Sequence, residues 1–403
     1  MKEYQYDLCI IGGAGHIGLP LGLAFANQGL KVALFDINRE SLAKIEAGQF
    51  PFFEEGGSEL LREVRLKNTL FTSSFPEAIS QSAVVITIVG TPIDERLNPD
   101  MKSILQSCKD YFDYFKDGQI LILRSTVYPG TTQLVQNYFR EKNKDIRVAF
   151  CPERIAQGKS LIELKNLPQI VSAFDDDIIN KVSELFRKVT DKSIIVLPPR
   201  EAEMTKLFCN AWRYISFAAV NQFFMIAQDN GMDFHNIYRA ITEDYPRNLG
   251  LPTPGFAAGP CLLKDTMQLF SFFNNNFILG HDAMLINEGL PNYLIQHLKK
   301  HIGEGELKNK TVGILGMAFK ANIDDKRESL SYKLKKYAQF ECKEVLCHDV
   351  YIYNPSFVPL DELLQKSDII ILATPHKEYK KIIPAEYQDK IFIDIWNFFE
   401  KKL

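Results

Sequence analysis

Short apolar runs alternate with longer amphipathic stretches over the first 150 residues, the pattern of strands and helices taking turns in a parallel sheet. Residues 6–11 predict a buried strand, a helical pattern follows to Gln28, and Leu30 to Phe35 predicts a second strand that ends at Asp36. Three more strands are predicted at Ala83–Val89, Gln119–Leu123 and Arg147–Phe150, and these end in Gly90-Thr91-Pro92, Arg124-Ser125-Thr126 and Cys151-Pro152-Glu153-Arg154. Glu201 to Asn230 contains neither Gly nor Pro. That predicts one helix of about 45 Å, at ~1.5 Å per residue. Leu207, Phe208, Trp212, Ile215, Phe217, Val220 and Phe224 make it apolar on nearly every face, the signature of a buried helix. Lys206, Asn210, Arg213 and Asn221 fall close to one stripe of it, and polar groups among so much apolar surface need partners: a ligand, a neighbouring domain or another subunit. Asp233 is placed to cap a further helix that leads through Tyr245-Pro246-Arg247 into a Gly/Pro-rich stretch; helices are predicted again at Leu262–Phe273 and His281–His301. Gly303-Glu304-Gly305 marks a boundary, and strands at Lys310–Gly316, Glu344–Cys347, Asp368–Ala373 and Ile391–Ile395 build a second α/β unit. The expected fold class is α/β: two Rossmann-like doubly wound domains, 1–198 and 304–403, joined by a central helical domain, 199–303.

Charge changes this picture little. With 47 basic and 50 acidic residues, a net charge of −3 and no basic block, nucleic acid is not an expected partner. No apolar run approaches ~20 residues, so no membrane span is predicted. The N-terminus runs straight into the first strand with no signal peptide ahead of it, which predicts a cytoplasmic enzyme. Seven scattered cysteines without CxxC spacing argue against a disulfide framework and against a zinc site, and no metal is expected.

Two stretches carry chemistry. Gly13-Ala14-Gly15-His16-Ile17-Gly18 follows the first strand and opens a helix, with Asp36 at the end of the next strand; together they form a dinucleotide fingerprint. Gly13 is expected to permit the tight turn, Gly15 the approach of a pyrophosphate and Gly18 helix packing, with His16 and Ile17 completing the cradle. Asp36 would bond the ribose hydroxyls and repel a 2′-phosphate, which predicts NAD; Arg39 three residues on is the only argument for NADP. Thr91, Thr126 and Glu153, at consecutive strand ends, predict one wall of a site. The second stretch is Pro254-Gly255-Phe256-Ala257-Ala258-Gly259-Pro260-Cys261-Leu262-Leu263-Lys264-Asp265. Its single cysteine stands just before a predicted helix, where unpaired N–H groups and the dipole favour a thiolate. Lys264 adds charge nearby, and Asp265 is placed to hold a water or a proton. Cys261 is the expected nucleophile. In the second α/β unit, Lys320 and Arg327 flank a charged loop where a doubly wound sheet binds ligands, and suit a phosphate or sugar.

The ordered set of motifs resembles the UDP-glucose/GDP-mannose dehydrogenase family over essentially the whole chain. It comprises GGAGHIG with Asp36, VGTP at 89–92, STVYPGTT at 125–132, CPERIAQGK at 151–159, EAEMTKLFCNAWR at 201–213, the Cys261 loop and GMAFKANIDDKRES at 316–329. The resemblance implies NAD-dependent oxidation of a sugar's C6 alcohol to a carboxylate, with NAD as acceptor twice per turnover, and a homodimer formed through the central helices. It implies that Cys261 captures an aldehyde as a thiohemiacetal and then carries a thioester. Lys206 would stabilise the oxyanion, with Asn210 as its partner one turn on; Asp265 would handle water and protons; Glu153 and Thr126 would position the hydrolytic water. Lys320 and Arg327 would contact the substrate. Two departures stand out: Pro260, which removes an N–H next to the nucleophile, and Gln222, where the family often has glutamate. Pro152–Gly158 and Tyr245-Pro246-Arg247 are similar to the branch acting on UDP-N-acetylhexosamines, in which Arg154 or Arg247 would bond the acetamido carbonyl. Gly255-Phe256 and Lys264-Asp265 echo the UDP-glucose branch, which stays as the alternative. Two further rivals are a single-step β-hydroxyacid dehydrogenase, which needs no Cys261, and a non-catalytic nucleotide-sugar-binding regulator.

Overall fold

The protein, a computed structural model, is described over residues 4–91 and 102–399. Pro92 of the strand-end motif and residues 400–403 of the expected C-terminal domain lie outside the described residues. The chain forms two compact units, Met1–Cys209 and Asn210–Leu403.

The first unit holds eight strands: β1 (Tyr6–Ile11), β2 (Val32–Phe35), β3 (Leu70–Ser73), β4 (Ser82–Thr87), β5 (Ile120–Leu123), β6 (Arg147–Phe150), β7 (Gln169–Ala173) and β8 (Ile194–Val196). They lie in the order β3-β2-β1-β4-β5-β6-β7-β8, parallel throughout except for the antiparallel β6–β7 pair. The order reverses between β1 and β4, so the crevice above their carboxyl ends is the binding position of such a sheet. Leu8 and Ile10 of β1 enter one apolar core while Cys9 and Ile11 enter another, so the sheet is covered on both faces. β3, β7 and β8 carry no clear sequence signal. β7 is buried at all five positions although Gln169 and Ser172 are polar, and Ser172 Oγ donates to the Phe150 carbonyl at 2.9 Å.

The long helix spans Pro199–Asp229, 31 residues, close to the expected range. It is not buried all round: Phe208, Trp212 (68% exposed), Phe223 and Ile226 form an exposed apolar stripe, and Arg213 is exposed too, off the buried polar row. Asn221 is buried, but its partners are internal. Its side chain exchanges hydrogen bonds with the backbone of Gly255 (2.8 and 3.0 Å) and donates to Asn287 (2.9 Å), clamping the turn ahead of Cys261.

The second unit carries β9 (Thr311–Leu315), β10 (Glu344–His348), β11 (Ile369–Leu372) and β12 (Ile391–Ile393), parallel, in the order β10-β9-β11-β12. Val220 and Phe224 of the long helix, Leu290 and Leu294 of the helix Ile278–Ile302, and Val312 and Ile314 of β9 share one core. Central helices and C-terminal sheet therefore bury each other's apolar faces. Among the described residues no helix is long and apolar enough to cross a membrane.

Candidate active site

The turn after β1 is built by a glycine doublet. The positive φ falls on Gly12 (+81°), not on Gly13, the expected residue; a Cβ at Gly13 would instead strike Leu34 at 2.8 Å. A Cβ on Gly18 would lie 2.2 Å from the Gly12 carbonyl oxygen, so the helix Gly18–Asn27 starts directly against the turn. Gly15 differs: a Cβ there would meet only the Gly12 oxygen, at 3.5 Å, leaving its outer side open. Asp36 accepts from Ala14 N and Asn38 N, both at 2.9 Å, and so ties the loop to the end of β2. His16 packs 4.0 Å from the Phe52 ring and meets Gln157 at 3.1 Å. Ile17 is the helix N-cap position and supplies no capping side chain.

The next strand ends are tied to one another. Thr91 Oγ1 donates to the Thr126 carbonyl at 2.9 Å and Ser125 Oγ to the Val89 carbonyl at 2.7 Å. Glu153 is buried and paired with Arg124, whose side chain is fully buried. The other carboxylate oxygen of Glu153 accepts from the backbone N–H of Arg154 (2.7 Å) and Ile155 (3.1 Å). Arg124 also donates to the Cys151 carbonyl and to Gln169, both at 3.0 Å, and lies 4.7 Å from the centre of the Phe186 ring. Glu153 is thus a fixed member of a charged network, whereas the sequence suggested a strand-end carboxylate facing water. Arg154 donates to the Pro168 carbonyl. A further anchor, Glu203, escaped the sequence reading. Buried on the long helix, it accepts from Gly130 N (2.6 Å) and Thr132 N (2.8 Å), capping the otherwise uncapped helix Thr131–Glu141. Lys206 follows it by three residues and is buried.

In the second unit, Cys261 is exposed and stands at the N-cap of the helix Leu262–Phe272, as expected. Behind it Asp265 is fully buried, held by Lys264 at 2.7 Å and by Asn210 Nδ2 at 2.5 Å. Gly259, at φ +103°, could not carry a side chain, since its Cβ would lie 2.6 Å from the Phe319 ring. The Gly259 N–H donates to the Glu328 carbonyl at 3.2 Å, joining the cysteine turn to the loop that bears Lys320 and Arg327. Asp325 grips Arg327 through both carboxylate oxygens at 2.6–3.1 Å and holds the guanidinium still more firmly protonated. Cys261 adds a smaller contribution in the same direction, so Arg327 lies within electrostatic range of its side chain. Sequence reasoning gave the neighbouring positive charge to Lys264 alone. Arg247 stands apart: it is exposed, and its guanidinium rests by the Tyr245 ring at 5.9 Å.

The turn after β9 repeats the device seen after β1. Gly316 has φ +89°, and Asp349, just past β10, accepts from Met317 N (2.5 Å) and Ala318 N (3.0 Å) with one oxygen and from Tyr351 N (2.7 Å) and Ile352 N (2.9 Å) with the other. Burial opposes the charge on Asp349, but His376 and these N–H groups outweigh it and lower its pKa to about 2. A depressed carboxylate contributes stability above its unfolded pKa near 4 and loses it as pH falls to about 2. Asp349→Asn should therefore abolish about 2 kcal/mol of stability at pH 7, and the difference from wild type should shrink steadily below pH 4 in denaturant melts. A constant difference from pH 7 to pH 2 would contradict this assignment.

Three models of one family match the chain in sequence. They are the UDP-glucose/GDP-mannose dehydrogenase family's NAD binding domain over residues 6–190, its central domain over 200–288 and its UDP binding domain over 313–401. The chain belongs to the UDP-glucose/GDP-mannose dehydrogenase family. It is accordingly an NAD-dependent nucleotide-sugar dehydrogenase. A UDP-N-acetyl-D-mannosamine dehydrogenase of Pyrococcus horikoshii is 30% identical over 404 residues, covering 96% of this chain and 95% of the relative. Another, of Methanocaldococcus jannaschii, is 29% identical, covering 98% and 93%. The solved structure of the UDP-D-ManNAc dehydrogenase from Pyrococcus horikoshii superposes with a TM-score of 0.89 at 28% identity, covering 98% of this chain and 96% of that one.

The residues of this family member fit NAD. The helix Gly18–Asn27 has no capping side chain and no acid in its first turn; Leu19 N donates to the Gly15 carbonyl at 3.0 Å and Pro20 carries no N–H, so the Gly18 N–H and the dipole are what this helix end offers an anion. The open side of Gly15 supplies the room a pyrophosphate needs, and the Asp36 carboxylate, already fixed by Ala14, stands where a ribose is read.

Proposed function

We propose that the chain oxidises C6 of a UDP-N-acetylhexosamine, with UDP-N-acetyl-D-mannosamine as the preferred substrate, to the uronic acid. The observation that carries the reaction type is the exposed Cys261 at a helix N-terminus, with Arg327 in electrostatic range and the buried Asp265–Asn210–Lys264 cluster behind it. Gly13, Gly15, His16, Ile17, Gly18, Asp36, Thr91 and Thr126 would hold NAD, which would supply the hydride acceptor for each of two oxidations. Between them Cys261 adds to the aldehyde carbon to give a thiohemiacetal; the second oxidation leaves a thioester, and water releases the carboxylate and the thiol. Lys206 neutralises the oxyanion as it forms. Asn210 and Lys264 orient Asp265, which moves the protons. Thr126 and the immobilised Glu153 position the hydrolytic water, and Arg154, Arg247, Lys320 and Arg327 bind the sugar nucleotide. Support for the N-acetylated sugar comes from the names of the relatives and from Pro152–Gly158 with Tyr245-Pro246-Arg247.

The exposed stripe Phe208, Trp212, Phe223 and Ile226 supports a homodimer through the long helix. Turnover should release two NADH per sugar oxidised, because a covalent relay completes both oxidations. A ratio of one would instead identify a single-step dehydrogenase. In competition, a higher kcat/KM for UDP-glucose than for every N-acetylated UDP-sugar would overturn the choice of substrate.

A further inference from the structure

The loop from Gly316 to Ser329 has no regular secondary structure, yet it carries both Lys320 and Arg327. An irregular stretch of that length pays a large ordering entropy unless specific contacts hold it. The contacts lead to one side chain. His376, fully buried beyond the end of β11, faces Asp349 Oδ2 with Nε2 at 3.1 Å. Its other nitrogen, Nδ1, receives the Asn322 N–H at 2.9 Å. A backbone N–H can only donate, so Nδ1 accepts, and the ring proton sits on Nε2 and points at the carboxylate. The same oxygen of Asp349 takes the N–H groups of Met317 and Ala318. The imidazole therefore links the first residues of the loop to Asn322 near its middle.

Asn322 is itself in the left-handed region, at φ +58°, and its Oδ1 accepts the Lys377 N–H at 2.8 Å. Thr374 Oγ1 (2.6 Å) and Ser329 Oγ (3.1 Å) both donate to the Ala318 carbonyl, and Phe319 N donates to the Asp325 carbonyl at 3.0 Å. Asp325 in turn grips Arg327. The path from His376 to the Arg327 guanidinium thus runs through Asp349, Ala318-Phe319 and Asp325, by hydrogen bonds and the backbone of one loop.

We infer that His376 is a positioning residue for the sugar nucleotide: bridging Asp349 and Asn322, it latches the 317–329 loop so that Lys320 and Arg327 are held ready for the substrate. This rests on the reading of Arg327 as a substrate contact. His376 touches no reacting group, so its loss is felt in the KM for the sugar nucleotide and not in the chemical step.

The test is steady-state kinetics on the full-length enzyme with the UDP-sugar it turns over best. His376→Leu, which fills the site without donor or acceptor, should raise the sugar KM about tenfold, with kcat and the NAD KM within about twofold. His376→Gln, neutral and able both to donate and to accept, should bring the sugar KM back to within about threefold of wild type. Asn322→Gly keeps the left-handed backbone and the bond to Nδ1 but loses the link to Lys377. It should raise the sugar KM severalfold, and it decides the matter if His376→Leu does not fold. On an Arg327→Ala background the His376→Leu effect should fall below about threefold, because both changes act through one loop. An unchanged sugar KM in the His376→Leu and Asn322→Gly variants, or equal rises in both Michaelis constants, overturns the latch. If Arg327→Ala alone leaves the sugar KM unchanged, the reading of Arg327 as a substrate contact is what fails.

Discussion

Cys261→Ala is expected to stop uronate formation, with a loss of at least about a thousandfold in kcat, while NAD binds as before. The size follows from what the sulfur does. Without it the aldehyde has no covalent anchor, and the second oxidation loses the tetrahedral adduct from which a hydride can leave. The sparing of the rest follows from position. Cys261 is exposed, its side chain makes no capping bond, and the NAD-binding turn lies in the other compact unit. The alanine protein should therefore fold normally and titrate with NAD like wild type in calorimetry, with no uronate formed when the sugar nucleotide is added. Turnover within tenfold of wild type would remove Cys261 from the chemistry.

Arg124→Met is expected to be the most damaging single change to stability among the residues discussed here. Glu153 and Arg124 are both out of reach of solvent, and the guanidinium also serves the Cys151 carbonyl and Gln169. Removing one partner of a buried pair leaves a stranded charge and costs about 3–5 kcal/mol, a fall on the order of 10 °C in Tm for a unit of this size. Adding Glu153→Gln to the same protein should recover at least half of that loss, because the stranded carboxylate disappears. Activity should not recover with it, since the carboxylate proposed to position the hydrolytic water is gone. Equal stability of the single and double variants would show that the pair does not anchor this strand end.

These assignments differ in how far the chain's own text disclosed them. β1, β2, β4, β5 and β6 announce themselves because a central parallel strand is apolar on both faces, and a run such as YDLCII has few other uses. β3 is half-buried at every position and shows neither a run nor an alternation, while the short apolar run of β8 lies at the exposed sheet edge. The glycine turn was legible as a motif, but not which glycine of the Gly12-Gly13 doublet takes the positive φ, since either order satisfies the pattern. Cys261, Lys206, Asn210 and Asp265 could be named from local context and family likeness. The partners of Glu153 and Asp349 could not. Arg124 stands 29 residues from Glu153 and His376 stands 27 from Asp349, so each pair exists only once its sheet is assembled, β5 beside β6 in the first and β10 and β11 on either side of β9 in the second. The exposed side of the long helix follows from the same limit: apolar content says that a face wants cover, not that this chain supplies it.

The paired turns after β1 and β9 give the two ligands different debts to salt. After β9 the backbone N–H groups of Met317 and Ala318 are filled by the protein's own Asp349, so a phosphate bound there must draw its charge from side chains, chiefly Lys320 and the 58%-exposed Arg327. After β1 Asp36 takes only the Ala14 N–H, and the Gly18 N–H and the helix dipole remain for the cofactor. Exposed side-chain charge is screened within about 8 Å at physiological ionic strength, whereas fixed amides at a closed turn are not. On the proposed roles of Lys320 and Arg327, the sugar nucleotide's KM is expected to rise as salt is added, and the cofactor's to rise far less.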